Sequence, residues 1–242
     1  MSLAGLSYDV DAVVLDIEGT TSATGFVVDV LYPYSRSRFA ALLSERGDDP
    51  EVARAVAQVR AEIGDPDADA VRIEKALNAW LDEDRKATPL KTLQGIIWSE
   101  GFARGDLVSH FYDDVVPVLR GWHAAGVRLY VYSSGSVAAQ RAWFANSPEG
   151  DLTPLVSGLH DTETAGPKQE PESYRRIAES AGVPAARLLF LSDRPGELDA
   201  ARAAGWHAVG IRRPGEPYFE QGVGNHAQAG TFDEITVSRS AS

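Results

Sequence analysis

The stretch Val13-Val14-Leu15-Asp16-Ile17-Glu18-Gly19-Thr20-Thr21 decides the fold of this chain. The apolar run over residues 10–15 predicts a buried strand of a parallel sheet, because both faces of such a strand are covered. The run ends in two carboxylates, Asp16 and Glu18. A carboxylate at the carboxyl end of a parallel strand lies in the crevice where open α/β sheets bind their ligands. The alternative is a simple polar turn, since Asp and Gly commonly end strands.

Composition narrows the class of protein. The 242 residues include no cysteine, which excludes a disulfide scaffold, a zinc-thiolate site and a cysteine nucleophile. A formal net charge of -12 argues against nucleic acid as a partner, because phosphate backbones need a basic face. No apolar run reaches the roughly 18 residues of a membrane span, and no signal-peptide pattern follows Met1. We expect a cytoplasmic monomer without a membrane or nucleic-acid partner.

A helical segment follows the first strand. Residues 22–30 are expected to form a mixed loop. Apolar residues then recur every three or four positions over 52–63 and 73–81, which predicts amphipathic helices, and Thr88-Pro89 opens another helical stretch. We assign residues 25–112 to an inserted all-helical cap domain.

From about residue 113, strand and helix patterns alternate, as is typical of a parallel sheet. The expected strands are 127–132, 154–159, 188–191 and 207–211, with an edge strand near 232–237. The expected helices are 115–125, 137–145, 172–181 and 197–204. The fold class is therefore α/β, with a doubly wound, mostly parallel Rossmann-like sheet. Residues 8–24 and 113–242 form its core domain.

Polar residues follow successive strands of this sheet, and all those strand ends lie on one edge. They are Asp16 and Glu18, then Ser133 and Ser134, and then Asp193. The loop Gly166-Pro167-Lys168 adds a lysine between them. These are the groups that phosphoryl transfer to a carboxylate requires.

The chemistry assigns each group a role. Asp16 would attack phosphorus and form an aspartyl phosphate, which divides a difficult hydrolysis into two easier steps. Mg²⁺ bound through Asp16 and Asp193 would offset the phosphoryl charge, since this hard ion prefers oxygen ligands. Lys168 would supply the positive charge that an anionic substrate needs. Glu18 is placed to protonate the leaving oxygen and then to activate water.

The remaining phosphoryl oxygens would be held by Ser133 and by backbone N–H groups at the helix start after Ser134. Each group also has an ordinary structural interpretation. The two serines are common helix caps, Asp193 with Pro195 is typical of a helix start, and a lysine such as Lys168 is usually solvated.

The motifs resemble the haloacid dehalogenase superfamily, whose phosphatases carry Asp-x-Asp-Gly-Thr, then Ser or Thr, then Lys, then Asp. Within it, three stretches resemble the enolase-phosphatases of methionine salvage. They are Asp16-Ile17-Glu18-Gly19-Thr20-Thr21, Tyr130-Val131-Tyr132-Ser133-Ser134-Gly135-Ser136 and Glu172-Ser173-Tyr174. Leu93-Gln94-Gly95, together with Trp98, also resembles this family. The likeness extends over about residues 10–215.

This resemblance implies a Mg²⁺-dependent hydrolase that is both an enolase and a phosphatase, an acireductone synthase. Its substrate would be 2,3-diketo-5-methylthiopentyl-1-phosphate, and its product the acireductone. The metal ligands would be Asp16, Glu18 and Asp193, with Glu18 using its side chain or its backbone carbonyl. Ser133, Ser134 and Lys168 would bind substrate.

The loops around Gly166-Pro167 and Arg194-Pro195-Gly196 depart from the family pattern, as does Ile96-Ile97 beside Trp98, where the family is expected to have His-Met. Two other functions remain open. One is another superfamily phosphatase, such as a sugar-phosphate phosphatase. The other is a phospho-acceptor receiver domain, which also uses a strand-end Asp, a hydroxyl residue, a Lys and Mg²⁺.

Overall fold

The computed structural model describes residues 5–85 and 87–239. The chain forms two compact units. One combines the N-terminal residues up to Gly25 with the residues from Val108 onward, and the other is Phe26–Leu107. Among the described residues, no helix has both the length and the hydropathy needed to cross a membrane.

The first unit is built on a parallel sheet. Within residues 5–85 and 87–239, six strands form this sheet: β2 (Ala12–Leu15), β3 (Arg128–Tyr132), β4 (Val156–His160), β5 (Leu188–Ser192), β6 (His207–Ile211) and β7 (Ala227–Ala229). Their order in the sheet is β4-β3-β2-β5-β6-β7. Every neighbouring pair is parallel. The predicted fold class is confirmed.

Strand β2 is central because its residues suit burial on both faces. All four are inaccessible to solvent, and β2 pairs with β3 on one side and with β5 on the other. The chain proceeds from β2 to β3 and β4 in one direction, then returns to β5, β6 and β7 in the other. The carboxyl end of β2 therefore lies at a topological switch point, where doubly wound sheets bind ligands.

Helices cover this sheet. They are α6 (Val115–Ala124), α7 (Val137–Ala145), α8 (Pro171–Ala181) and α9 (Pro195–Ala203). Helix α8 shows how local sequence sets the bounds of a helix. Pro171 occupies its first turn, where a missing N–H costs nothing, and Gly182 ends it in the left-handed region at φ 60°. The buried side chains of α8, which include Tyr174 and Ile177, pack into a hydrophobic core against the sheet.

The tail matches the prediction in part. A strand lies near residues 232–237, but it belongs to a separate two-stranded sheet. Phe232–Glu234 is a 3₁₀ turn, and the strand β8 (Ile235–Ser238) pairs in parallel with β1 (Leu6–Asp9). Beyond β6, the main sheet ends at β7, whose three residues Ala-Gln-Ala carry no strand signal.

The second unit is helical. It contains α1 (Tyr32–Arg36), α2 (Phe39–Glu45), α3 (Pro50–Ile63), α4 (Ala70–Asp82) and α5 (Thr88–Arg104). The side chains of Asp49 and Asp69 accept hydrogen bonds from the first turns of α3 and α4, as caps do. The apolar faces of these helices form a core of their own, which includes Phe39, Leu77 and Leu93.

The predicted loop over residues 22–30 is wrong in its second half. Val27–Leu31 forms a π-helical segment that continues into α1. Only Leu31 of this segment is buried, and Val28 and Val30 are exposed. A segment of β-branched residues without an amphipathic pattern carries no helical signal.

Candidate active site

Asp16 is fixed at the carboxyl end of β2. Its side chain is buried, and its N–H donates to the carbonyl of Leu191 in β5 over 3.0 Å. The chain then turns at Gly19, which adopts a left-handed φ of 74°. A Cβ atom at this position would collide with the carboxylate of Asp193. Glycine is therefore required here both by the backbone conformation and by the approach of a second acid.

Lys168 lies directly on Asp16. Its Nζ is 2.6 Å from Asp16 Oδ1 and 2.7 Å from Glu197 Oε2, and its side chain is 7% exposed. Burial alone would lower the pKa of Lys168, but the two carboxylates raise it above its ordinary value. The interpretation of Lys168 as a solvated surface lysine is wrong, because the side chain is buried. An ammonium this buried is stable only when it is paired with negative charge. The hydroxyl of Tyr174 donates to the Lys168 carbonyl over 2.8 Å and holds the loop in place.

Glu197 also belongs to this cluster, although the sequence did not predict it as a site residue. It is 1% exposed, and it accepts a hydrogen bond from Ser192 Oγ over 2.9 Å in addition to its ion pair with Lys168. An acid in the first turn of a helix is favourable because it interacts with the helix dipole. This local explanation accounts for Glu197 in the sequence without a contact to Lys168. Its spacing of four from Asp193, which places one acid at a strand end and the next in the following turn, was the available signal.

Asp193 completes the acidic cluster at the end of β5. It is 4% exposed, and its N–H donates to Thr20 Oγ1 over 3.1 Å. The Thr20 hydroxyl in turn donates to Asp16 Oδ2 over 3.4 Å. Burial, with the charges of Asp16 and Glu197, raises the pKa of Asp193 to about 8. Asp193 Oδ1 has no hydrogen-bond partner among the described residues.

The charges of this cluster do not balance. Asp16, Glu197 and Asp193 supply three buried carboxylates, and Lys168 supplies one ammonium. Buried carboxylates need a positive partner or a proton. The unpartnered Asp193 oxygen and the all-oxygen donor set fit a hard divalent cation such as Mg²⁺.

Ser133 and Ser134 follow β3, the neighbour of β2. Ser133 is buried and Ser134 is exposed. Neither caps the next helix, because Ser136 is the residue whose side chain accepts from Ala139 at the start of α7. The cap interpretation of Ser133 and Ser134 is therefore wrong, and Ser133 Oγ instead accepts a 3.4 Å hydrogen bond from the Gly135 N–H.

The N-terminus of α7 is partly occupied by the protein itself. The N–H of Val137 donates to Asp161 Oδ2 over 2.9 Å, and that of Ala139 donates to Ser136 Oγ over 3.2 Å. The expectation that this helix start offers its N–H groups to phosphate is thus too broad. The Asp161 carboxylate and the Ser136 hydroxyl already satisfy two of those donors.

Glu18 lies on the turn after Asp16. Its side chain is exposed, whereas Asp16 is 5% exposed. The turn is held by a 2.7 Å hydrogen bond from Gly19 N–H to the Ser22 carbonyl. The structure thus brings Asp16, Lys168 and Asp193 into one connected cluster, places Ser133 and Ser134 at the adjacent strand end, and leaves Glu18 on the exposed side of the turn.

Comparison with known proteins defines the class to which this fold and site correspond. The model of a family described as haloacid dehalogenase-like hydrolase matches residues 10–205. The UTR4 protein of Saccharomyces cerevisiae has a similar structure, with a TM-score of 0.76 and 29% sequence identity over 93% of this chain and 99% of that one.

Curated relatives narrow the class further. The enolase-phosphatase E1 of Streptomyces avermitilis is 81% identical over 96% of this chain and 98% of that protein. The enolase-phosphatase E1 of Frankia alni is 54% identical over 92% and 94%. The chain belongs to the haloacid dehalogenase-like hydrolases and, within them, to the enolase-phosphatase E1 family. This membership argues against the receiver-domain alternative.

We expect the substitution Lys168→Met to destabilise the metal-free protein by about 3–5 kcal/mol, because it leaves buried carboxylates without their cation. Denaturant unfolding in buffer without divalent ions measures the change. Lys91→Met is the matched control, since Lys91 is exposed on α5 and should change stability by less than about 0.5 kcal/mol. Equal stability of Lys168→Met and the wild type would show that Lys168 does not hold the acids together.

Proposed function

We propose that this protein converts 2,3-diketo-5-methylthiopentyl-1-phosphate to the acireductone 1,2-dihydroxy-3-keto-5-methylthiopentene and phosphate in methionine salvage. It is a bifunctional enolase-phosphatase, a phosphoric monoester hydrolase that also enolises its diketone substrate. The observation that carries the proposal is the buried Asp16 carboxylate at the end of β2, held 2.6 Å from Lys168, in a chain 81% identical to an enolase-phosphatase E1.

The phosphatase half begins at Asp16. A carboxylate oxygen of Asp16 forms a bond to phosphorus, and the bond from phosphorus to the substrate oxygen breaks. Lys168 fixes the orientation of the attacking carboxylate and contributes positive charge near the phosphoryl oxygens. Because Lys168 is buried and already paired with Asp16, little reorganisation of these side chains accompanies the attack.

Glu18 supplies the proton in this scheme. Its carboxylic acid protonates the leaving oxygen, and its carboxylate then removes a proton from water as that water attacks the aspartyl phosphate. This second step releases phosphate and restores Asp16. The exposed position of Glu18 on the same turn suits a group that exchanges protons with solvent.

Mg²⁺ is the proposed cofactor, one ion per subunit. Asp16 and Asp193 would hold it through their carboxylates, and Glu18 would contribute its side chain or its backbone carbonyl. When bound, the ion offsets phosphoryl charge and polarises the diketone. The unpartnered oxygen of Asp193 supports this assignment.

Ser133 and Ser134 are proposed to bind the substrate together with Lys168. Residues 25–112 are assigned as a cap domain, and residues 8–24 with 113–242 as the core domain. A cytoplasmic location and a monomeric state stay predictions.

A Mg²⁺-dependent assay on the diketone phosphate tests the whole proposal. Enol absorbance and free phosphate are followed together with the purified protein. We expect an enol phosphate to form and then to be consumed as phosphate appears. Release of phosphate without formation of the enol would contradict the enolase half, and a sugar phosphate that reacts faster would favour the sugar-phosphate alternative.

We expect Asp16→Asn to abolish phosphate release, because an uncharged amide is a poor nucleophile for phosphorus. The near-isosteric change should leave the fold intact. Phosphate release and near-ultraviolet circular dichroism are measured on the same preparation. Normal turnover by a correctly folded Asp16→Asn protein would refute the assignment of the nucleophile.

Magnesium should stabilise the protein as well as activate it. A ligand at 100 times its dissociation constant adds about 2.7 kcal/mol to the free energy of unfolding, so Tm should rise with Mg²⁺. The substitution Asp193→Asn should remove this rise, and chelation should remove the activity. Asp199→Asn is the matched control, since Asp199 lies on α9 with a side chain 74% exposed. An unchanged Mg²⁺ dependence of Tm in Asp193→Asn would exclude Asp193 as a ligand.

A further inference from the structure

The C-terminal segment carries a buried arginine whose role the fold alone does not explain. Arg213 lies beyond the residues 10–205 that the family model matches, and it is 4% exposed. Its guanidinium binds the carboxylate of Asp114 through two hydrogen bonds, of 2.7 Å from Nη1 and 2.9 Å from Nη2. Such a bidentate pair fixes the orientation of the guanidinium plane as well as its position.

Aromatic rings hold this guanidinium on its faces. The Arg213 Cζ atom is 4.3 Å from the centre of the Tyr112 ring and 5.4 Å from that of Phe232. Asp114 is held in turn, because its Oδ2 accepts a 2.7 Å hydrogen bond from the Phe232 N–H. Arg213 is thus a rigid group in a packed environment.

The Nε edge of the Arg213 guanidinium is directed to the active-site turn. Its Nε donates to the carbonyl of Thr20 over 3.3 Å. Thr20 is fully buried, and its hydroxyl lies between the two acids of the site, donating to Asp16 Oδ2 and accepting from the Asp193 N–H. Arg213 is therefore linked through one residue, Thr20, to the Asp16 carboxylate and to the Asp193 backbone amide.

A second residue of the same segment holds the next part of the chain. Both carboxylate oxygens of Glu216 accept from the Thr24 N–H, at 3.1 and 3.2 Å, and Oε1 also accepts from the Tyr112 hydroxyl over 2.6 Å. Arg213 and Glu216 together restrain residues 20–24, which begin four positions after the proposed nucleophile.

We propose that Arg213 is a positioning residue for the reaction, acting through Thr20 to set the relative placement of Asp16 and Asp193. Only the kinetic test of this inference depends on the proposed function. The guanidinium is suited to the task, because it engages Asp114 and Thr20 at the same time through donors in a fixed plane. A lysine offers one donor atom and cannot make both contacts in that geometry.

Two substitutions and one control test the proposal. Arg213→Met removes the charge and keeps most of the apolar stem, and Arg213→Lys keeps the charge without the planar fork. Arg212→Met is the control, because Arg212 is the adjacent arginine and donates to the Phe219 carbonyl rather than to Thr20. Each protein is assayed well below its own Tm, so that loss of fold is separated from loss of rate.

The kinetic readout is the separation of kcat from KM. A displacement of about 1 Å at reacting groups can cost about 100-fold in rate. We expect kcat for phosphate release to fall by about 10- to 100-fold in Arg213→Met and Arg213→Lys with little change in KM, and to be unchanged in Arg212→Met. Wild-type kcat in folded Arg213→Met, or an equal loss in Arg212→Met, would overturn the proposal.

A second readout is independent of turnover. Hydrogen exchange at the Asp193 amide, followed by nuclear magnetic resonance, reports on its bond to Thr20 Oγ1. We expect faster exchange in both Arg213 variants and wild-type exchange in Arg212→Met. Unchanged exchange in the Arg213 variants would also refute the positioning role. If the wild-type protein releases no phosphate, the proposed function fails, and the exchange rates still decide whether Arg213 orders this turn.

Discussion

The candidate active site depends on one buried ammonium placed between two carboxylates. Lys168 Nζ lies within 2.7 Å of both Asp16 and Glu197, and all three side chains are at most 7% exposed. Each of these charges would be costly to bury alone, and the cluster is stable because the charges are paired and hydrogen-bonded. The pairing also orients Asp16, since one of its oxygens is held by Lys168 and the other is approached by the Thr20 hydroxyl. Stability and the placement of the proposed nucleophile thus have the same origin.

The sheet topology explains why these groups meet. Because β2 lies between β3 and β5, its carboxyl end adjoins the strand ends that carry Ser133 and Asp193. The approach is so close that only glycine is tolerated at position 19. A parallel sheet that reverses its winding direction at this point leaves a crevice there. The negative charge left over after Lys168 is paired makes that crevice suitable for a divalent cation and an anionic substrate.

Support for the site comes from a part of the chain far from it in sequence. Arg213 and Glu216 reach back to residues 20–24, and Asp114 and Tyr112 hold them in place. Local patterns in residues 205–239 predict only strands and loops, and they contain no indication of these contacts. Polar side chains in a loop-rich tail are usually solvated. Their burial here depends on the packing of three separate segments.

The sequence by itself determined the parallel sheet, the helical insertion and, to within two residues, the bounds of the core helices α6 to α9, because apolar periodicity, caps and glycines report on the local backbone. It also indicated that Asp16, Lys168 and Asp193 belong to one site, since residues at successive strand ends share one edge of a parallel sheet. Only the tertiary structure decided that Lys168 is buried, that Glu197 is its second partner, that Ser136 rather than Ser133 or Ser134 caps α7, and that Arg213 restrains Thr20. The physical reason is that these are pairings between polar groups, and Lys168 and Asp16, for example, are 152 positions apart. Such pairings leave no periodic signal, because they depend on which groups are excluded from water once the chain has packed.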